Sequence, residues 1–126
     1  LGPDDLPMIE RGAALVALDC SWKQLDESIS KIRKTSPRLE PRTLPLVLAS
    51  NPVSWGKPGR LSTAEALAMC LILLNKGEQA ERLLSPFSWG EQFFILNKEP
   101  IEAYRNAKSR EELVSLQWEF FDRPEN

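Results

Sequence analysis

A carboxylate, a thiol, a hydroxyl and an indole stand in a row at Asp19-Cys20-Ser21-Trp22, directly after the apolar run Ala13-Ala14-Leu15-Val16-Ala17-Leu18. The run reads as a short buried strand, with Gly12 marking its start. In open α/β sheets, ligands bind outside the carboxyl ends of strands. A carboxylate placed there could orient a substrate group or take a proton from it, and Trp22 could wall an apolar pocket. Plainer readings stand beside these: Asp19 as the cap of the next turn, and Trp22 as core. The stretch Leu44-Pro45-Leu46-Val47-Leu48-Ala49-Ser50-Asn51-Pro52 repeats the arrangement of apolar run and polar loop. One ligand site is therefore expected between the two strand ends. A third group, Ser62-Thr63, opens a helix, where free N–H groups and the helix dipole favour an anion. Simple capping is the alternative there.

Other chemistries are excluded by residue type. The chain has no histidine, which removes Ser-His-Asp and Cys-His nucleophile systems and histidine-based metal sites. It has no Walker loop, no GxGxxG, no CxxC, no HExxH and no acidic metal cluster. Cys20 and Cys70 form no spacing motif, and Cys70 falls in an apolar helical pattern, so it reads as a buried free thiol. With 126 residues, 42% hydrophobic and 27% charged, the chain suits one compact domain or two small, closely packed halves.

The formal charge of -2 argues against a strongly basic nucleic-acid binder, but the charge is uneven. Lys31, Arg33, Lys34, Arg38, Arg42, Lys57 and Arg60 face a single acid, Glu40, between residues 31 and 60. Such a face suits a phosphate-bearing partner, or is merely solvated. The sequence shows no secretory signal, and the apolar run Met69–Leu74 is too short to span a bilayer. A cytoplasmic protein with reduced thiols is expected.

These residues need elements to position them. Asp4 or Asp5 could cap a helical turn through Leu6 to Arg11, with Pro7 in its first turn and Gly12 ending it. A turn feeding the strand at 13–18 is half of a parallel βαβ unit, so an amino-terminal part of the domain is expected upstream of Leu1. Lys23 to Lys34 is weakly helical, and Thr35 to Thr43 is a loop rich in Pro and Arg. A second strand is expected over Leu44 to Ala49. The loop Ser50 to Arg60, with its prolines, glycines, Asn51 and Trp55, suits one wall of a site. Ser62-Thr63-Ala64-Glu65 is a capping box. It opens a helix that is apolar nearly all round, runs to Asn75 and is terminated by Gly77. Further helices are expected at Glu78–Leu84, after a Ser88-Trp89-Gly90-Glu91 cap, from Pro100, and after a second capping box at Ser109-Arg110-Glu111-Glu112. The plan is α/β over residues 1–50 and all-helical over 51–126.

The segments Asp19-Cys20-Ser21-Trp22, Arg42-Thr43-Leu44-Pro45, Ala49-Ser50-Asn51-Pro52-Val53-Ser54-Trp55-Gly56, Leu61-Ser62-Thr63-Ala64-Glu65-Ala66 and Trp89-Gly90 with Phe93 and Leu96-Asn97 resemble one family in order and spacing. It is the archaeal and eukaryotic small-subunit rRNA aminocarboxypropyltransferase family. The resemblance implies a SPOUT-like, knotted, parallel-sheet α/β domain, here lacking its amino-terminal strands, followed by an all-helical domain. It implies S-adenosylmethionine as cofactor, and transfer of the 3-amino-3-carboxypropyl group to a base nitrogen of a methylated pseudouridine in small-subunit rRNA. The pre-ribosomal subunit would be the partner of a monomeric, membrane-free enzyme.

By the same resemblance, the Leu18 carbonyl would meet the ribose hydroxyls and Trp22 would bury the methyl. Leu44, Leu61 and Ala66 would line the adenine pocket, with the Leu44 N–H and the Gly59 carbonyl at the purine edge. The Thr63 N–H would meet the amino-acid end of the cofactor. Asp19 would be the base or orienting group. The basic positions Lys31, Arg33, Lys34, Arg38, Arg42, Lys57 and Arg60 would hold RNA phosphates. The chain departs from the family at Ser54-Trp55, where Asn-Tyr is common, and at Gly59, where an aromatic is common. A SPOUT-type RNA methyltransferase and a non-catalytic rRNA-binding assembly factor are the competing expectations.

Overall fold

A 3-10 turn at Pro3–Asp5 leads directly into α1, Leu6–Glu10. The structure, a computed structural model, describes residues 1–15, 30–32, 34 and 42–122. Pro7 stands in the first turn of α1, where its missing N–H would have had no helical partner anyway. Gly12 adopts φ +100, a left-handed value that glycine tolerates without strain, and the helical turn stops before it as expected. Residues 13–15 carry no strand; the rest of the expected first strand lies outside the described residues. Residues 30–32 and 34 are helical and fall within the weak helix expected at Lys23 to Lys34.

Five helices follow the loop. They are α2, Thr63–Leu73; α3, Gly77–Leu84; α4, Gly90–Leu96; α5, Lys98–Arg105; and α6, Arg110–Phe120. The capping box that opens α2 forms: Ser62 Oγ accepts from the Glu65 N–H at 3.3 Å, and the Glu65 carboxylate accepts the Ser62 N–H at 2.9 Å. At α6 the device is shifted by one residue. Ser109 Oγ accepts from the Glu112 N–H at 3.1 Å, but the Glu112 carboxylate accepts from Lys108 rather than Ser109.

Two expected boundaries are corrected. Gly77 does not terminate α2. Asn75 takes the left-handed conformation at φ +64; its N–H donates to the Ile72 carbonyl, and the Lys76 N–H donates to the Leu71 carbonyl at 2.7 Å. That pair of bonds is a Schellman closure, completed before Gly77, which is then free to begin α3. Ser88 does not cap α4 either. Trp89 holds the N-cap position and no side chain bonds there. What fixes this corner is close approach: a Cβ on Gly90 would lie 2.1 Å from the Leu84 carbonyl oxygen.

The helices enclose one core, in which Val47, Met69, Leu84, Phe93, Tyr104 and Leu113 are almost fully buried. Each such side chain stabilises the fold by ~1.5–3 kcal/mol through apolar burial. α2 packs chiefly on α3, α6 on α5, and α5 also on α2. Cys70 is a free, half-buried thiol, and burial pushes its pKa up, away from reactivity.

The apolar run at 44–49 is extended but is not part of a sheet among the described residues. It makes one isolated antiparallel bridge, Leu48 to Pro58. Both of its edges nevertheless have partners. On one edge, the Gly59 N–H donates to the Val47 carbonyl, the Ala49 N–H to the Lys57 carbonyl and the Gly56 N–H to the Ala49 carbonyl. On the other edge the partners are side chains from the helices. Gln117 accepts the Leu46 N–H at 3.2 Å, and the Tyr104 hydroxyl donates to the Leu46 carbonyl at 2.7 Å. Asn97 takes both polar groups of Leu48. The N–H and carbonyl groups of Leu46, Leu48 and Ala49 and the Val47 carbonyl are thus paired without a neighbouring strand among the described residues. The apolar pattern predicts the conformation, and long-range side chains decide the company it keeps.

Candidate functional site

The loop from Ser50 to Arg60 and the start of α2 form one connected unit with the extended run. Glu65 is its hub. Although completely buried, its carboxylate accepts from the Ser50 N–H at 2.7 Å, Ser50 Oγ at 3.1 Å, Asn51 Nδ2 at 2.6 Å and the Ser62 N–H at 2.9 Å. Burial by itself would push its pKa up, but these donors outweigh that and hold it below the ordinary carboxylate range. A buried carboxylate with several donors is charged and fixed. Asn51 Nδ2 also reaches the Arg60 carbonyl at 3.3 Å, which closes the loop on itself.

The loop is two linked turns. In the first, the Ser54 N–H donates to the Asn51 carbonyl at 3.3 Å and to Asn51 Oδ1 at 3.0 Å, with Pro52 at the second position. In the second, the Lys57 N–H donates to the Ser54 carbonyl at 3.0 Å. Gly56 takes φ +73 at its third position, the value a type II turn requires there.

The expected cofactor positions at Leu44, Gly59, Leu61, Thr63 and Ala66 all fall on this unit. Leu44 and Leu61 are partly buried against the core. Gly59 has φ +70, and a Cβ there would lie 3.2 Å from Leu46 Cδ2, so glycine is favoured at this close approach. Among the described residues, no hydrogen bond reaches the Leu44 N–H, the Gly59 carbonyl or the N–H groups of Thr63 and Ala64. The last two belong to the first turn of α2, where helix N–H groups lack internal partners. The unit therefore carries partly buried apolar side chains, one carbonyl and three N–H groups without partners among the described residues. That set fits a nucleoside joined to an anionic group.

Leu18, Asp19 and Trp22 lie outside the described residues, as do Arg33 and Arg38. Of the remaining basic positions, Lys31, Lys34, Lys57 and Arg60 are exposed. Arg42 is engaged. Its Nε donates to Asp5 Oδ1 at 2.8 Å, and Arg110 Nη2 reaches the same oxygen at 3.0 Å. Asp5 is buried. Burial opposes its charge, but the bonds from Arg42 and the Gly2 N–H together with the nearby guanidinium charges hold its carboxyl below the usual range. Asp5 therefore anchors the amino-terminal turn to the start of the extended run and to α6. Among the described residues, no group of three or more His, Cys, Asp or Glu could hold a metal ion, and no helix is long and apolar enough to cross a membrane.

The residues that sequence reasoning missed are Asn97, Gln117 and Tyr104 as holders of the 44–49 backbone, and Glu65 as more than a cap. Of these holders, Asn97 stands in the sequence reading only within the family segment Leu96-Asn97. Its partner lies 49 positions away.

Comparison with known proteins places this arrangement. Residues 1–121 match the family model described as "Ribosome biogenesis protein, C-terminal". The chain is 43% identical over 117 residues to the 16S rRNA aminocarboxypropyltransferase of Methanosarcina mazei, covering 93% of this chain and 64% of that protein. It is 46% identical over 112 residues to that of Methanopyrus kandleri, covering 89% and 63%. Among solved structures it is similar to the SAM-dependent rRNA:acp-transferase Tsr3 from Vulcanisaeta distributa. There the TM-score is 0.74 at 31% identity, covering 95% of this chain and 61% of that one. The chain thus spans somewhat under two thirds of the length of these relatives.

Proposed function

Since the chain belongs to the ribosome biogenesis protein family matched over residues 1–121, we propose that the protein is an S-adenosylmethionine-dependent rRNA aminocarboxypropyltransferase. The observation that carries the reading is the identity of 43% to a 16S rRNA aminocarboxypropyltransferase along nearly the whole chain. The product would be a pseudouridine of small-subunit rRNA, methylated beforehand, bearing a 3-amino-3-carboxypropyl group on a base nitrogen. The whole protein would have a SPOUT-like parallel-sheet domain that includes residues 1–50, with the helical domain at 51–126. It would act in the cytoplasm, as a monomer, on a pre-ribosomal subunit.

The connected unit from Leu44 to Ala66 fits the cofactor. Leu44, Leu61 and Ala66 line the adenine pocket. The Leu44 N–H and the Gly59 carbonyl meet the purine edge, and the Thr63 N–H meets the carboxylate at the start of α2. By the family resemblance, Leu18 and Trp22 would hold the ribose and the methyl. S-adenosylmethionine, when bound, supplies an already activated carbon on its sulfonium. The protein's own work is then alignment more than activation.

Trp22 would hold the methyl in an apolar contact away from the RNA, which would leave the aminocarboxypropyl carbon for transfer. Asp19 orients the uracil-type N–H or takes its proton. The cations Lys31, Arg33, Lys34, Arg38, Lys57 and Arg60 hold phosphates, and Arg42 adds charge at the same face while bound to Asp5.

The test is label transfer to small-subunit rRNA from S-adenosylmethionine labelled in the carboxyl group or in the methyl group. Carboxyl label on the RNA is the expected result. Methyl label would identify a SPOUT-type methyltransferase, and neither label, together with RNA binding, an assembly factor. Within the reading, an Asp19→Asn variant retaining full transfer would remove Asp19 from it, and unchanged cofactor affinity in Trp22→Ala would remove the methyl pocket.

A further inference from the structure

We propose that Trp55 is a stacking platform for an unpaired base of the substrate RNA, with Lys57 and Arg60 holding the phosphates beside it. The inference deepens the RNA reading above and rests on it.

Three observations carry it. The first is display. Val53 is 90% exposed and Trp55 is 52% exposed, and Trp55 has no ring partner among the described residues. A chain that buries Phe93 and Tyr104 almost completely leaves an indole in water here. The second is the mount. Val53 and Trp55 are at the corners of the two linked turns, where side chains point away from the closing hydrogen bonds. Pro52, Gly56, Asn51 and Glu65 fix those turns. A rigid aromatic loses little conformational freedom on binding, and a flexible loop would gain nothing from the Glu65 hub. The third is charge. From residue 41 to residue 64 the sequence holds Arg42, Lys57 and Arg60 and no acid. Lys57 and Arg60 are exposed and unpaired among the described residues. Glu65, the next acid, is buried and saturated with donors.

An exposed indole flanked by free cations is the combination that binds single-stranded nucleic acid, one group stacking on a base and the others following the backbone. The loop also joins the extended run to α2, the two elements that carry the cofactor positions.

The experiment titrates the full-length protein into fluorescently labelled single-stranded small-subunit rRNA oligonucleotide, and into a duplex of equal length, by anisotropy. Stacking of one base implies that Trp55→Ala weakens single-strand binding by about five- to a hundred-fold. Duplex binding should change little, and Trp55→Phe should recover most of the loss. The salt dependence of binding should keep its slope in Trp55→Ala and flatten in the Lys57→Ala, Arg60→Ala double variant. Equal affinity of wild type and Trp55→Ala would overturn the proposal, as would a Trp55→Phe variant as weak as Trp55→Ala at unchanged melting temperature. The titration needs no cofactor, so it separates the two readings. Trp55-dependent RNA binding without aminocarboxypropyl transfer defeats only the enzyme; transfer with Trp55-independent binding defeats only the platform.

Discussion

The side-chain amide of Asn97 pairs with the main chain of Leu48 at both of its polar groups. Oδ1 accepts the Leu48 N–H at 2.6 Å, and Nδ2 donates to the Leu48 carbonyl at 2.8 Å. The same Nδ2 donates to the Phe93 carbonyl at 2.9 Å. One buried side chain thus takes both polar groups of Leu48 and ties the loop's foundation to the end of α4.

Removing that amide should be costly. Asn97→Ala leaves the part-buried Leu48 N–H and carbonyl without these partners, at up to ~1–3 kcal/mol for each group. A loss of about 3 kcal/mol in urea denaturation is expected. Asn97→Asp should also destabilise, because it turns a carboxylate toward two carbonyls. A loss under ~0.5 kcal/mol in Asn97→Ala would show that the pairing contributes nothing.

Glu65 makes stability depend on pH in a defined direction. Its folded pKa is lowered, so its contribution is present above the ordinary glutamate value of about 4.3. That contribution is lost as pH falls through the depressed folded value. Asp5, also lowered, acts in the same direction. Denaturation measured from pH 7 down to pH 3 should show stability dropping across this window. Glu65→Gln should lower stability at pH 7 by about 2–4 kcal/mol, since its amide meets donors, and should give a shallower pH profile. An equally steep profile in the variant would assign the effect elsewhere.

Thr63→Pro isolates one N–H group. Proline is accepted at the first position of a helix, and Ser62 at φ -70 and ψ 166 already has the conformation favoured before proline. The fold should keep its melting temperature. Affinity for S-adenosylmethionine, measured by calorimetry, should fall about tenfold or more, because a hydrogen bond to a charged group contributes ~1.5–3 kcal/mol. Wild-type affinity in this variant would take the Thr63 N–H out of the cofactor site.

Two glycines should behave oppositely. Gly90→Ala places a Cβ 2.1 Å from the Leu84 carbonyl oxygen and should destabilise by ~3 kcal/mol or more. Gly77→Ala meets nothing within 4 Å, begins α3 and should be neutral or stabilising by up to about 1 kcal/mol. Thermal melts of the pair would check the packing at the α3–α4 corner.

Asn75 gives a third backbone test. At φ +64, Asn75→Gly should be neutral or stabilising, and Asn75→Ala should lose about 1 kcal/mol. Equal melts for the two would contradict the left-handed closure of α2.

What was legible in the sequence is what is local. The Ser62 and Ser109 caps, Pro7 and the helix at Glu78–Leu84 depend on neighbours within one turn, and they read correctly; the helix expected from Pro100 begins two residues earlier, at Lys98. Gly77 misled because Asn75 could take the left-handed position first. The apolar period at 44–49 fixed an extended backbone but not its partners, since Asn97, Tyr104 and Gln117 reach it from 49 to 71 positions away. Glu65 read as a cap, and so it is. Its second task, gripping Ser50 and Asn51, needs a chain reversal that no local pattern encodes. The expected cofactor positions from Leu44 to Ala66 rest on family resemblance alone, and the loop's turn residues gave physical reason for a rigid wall.

The side chains along the outer edge of 46–49 also matter before folding is complete. Leu46-Val47-Leu48-Ala49 is uncharged and rich in β-forming residues, the composition that recruits other strands when its edge is open. Asn97 guards that edge but is made 49 residues after Leu48, a delay of roughly 2–10 s at ~5–20 residues per second. During synthesis the segment is therefore unshielded, with Pro45 as its only built-in interruption. Substitutions at Asn97, Tyr104 or Gln117 should lengthen that interval and lower soluble yield more than they lower the stability of the folded chain.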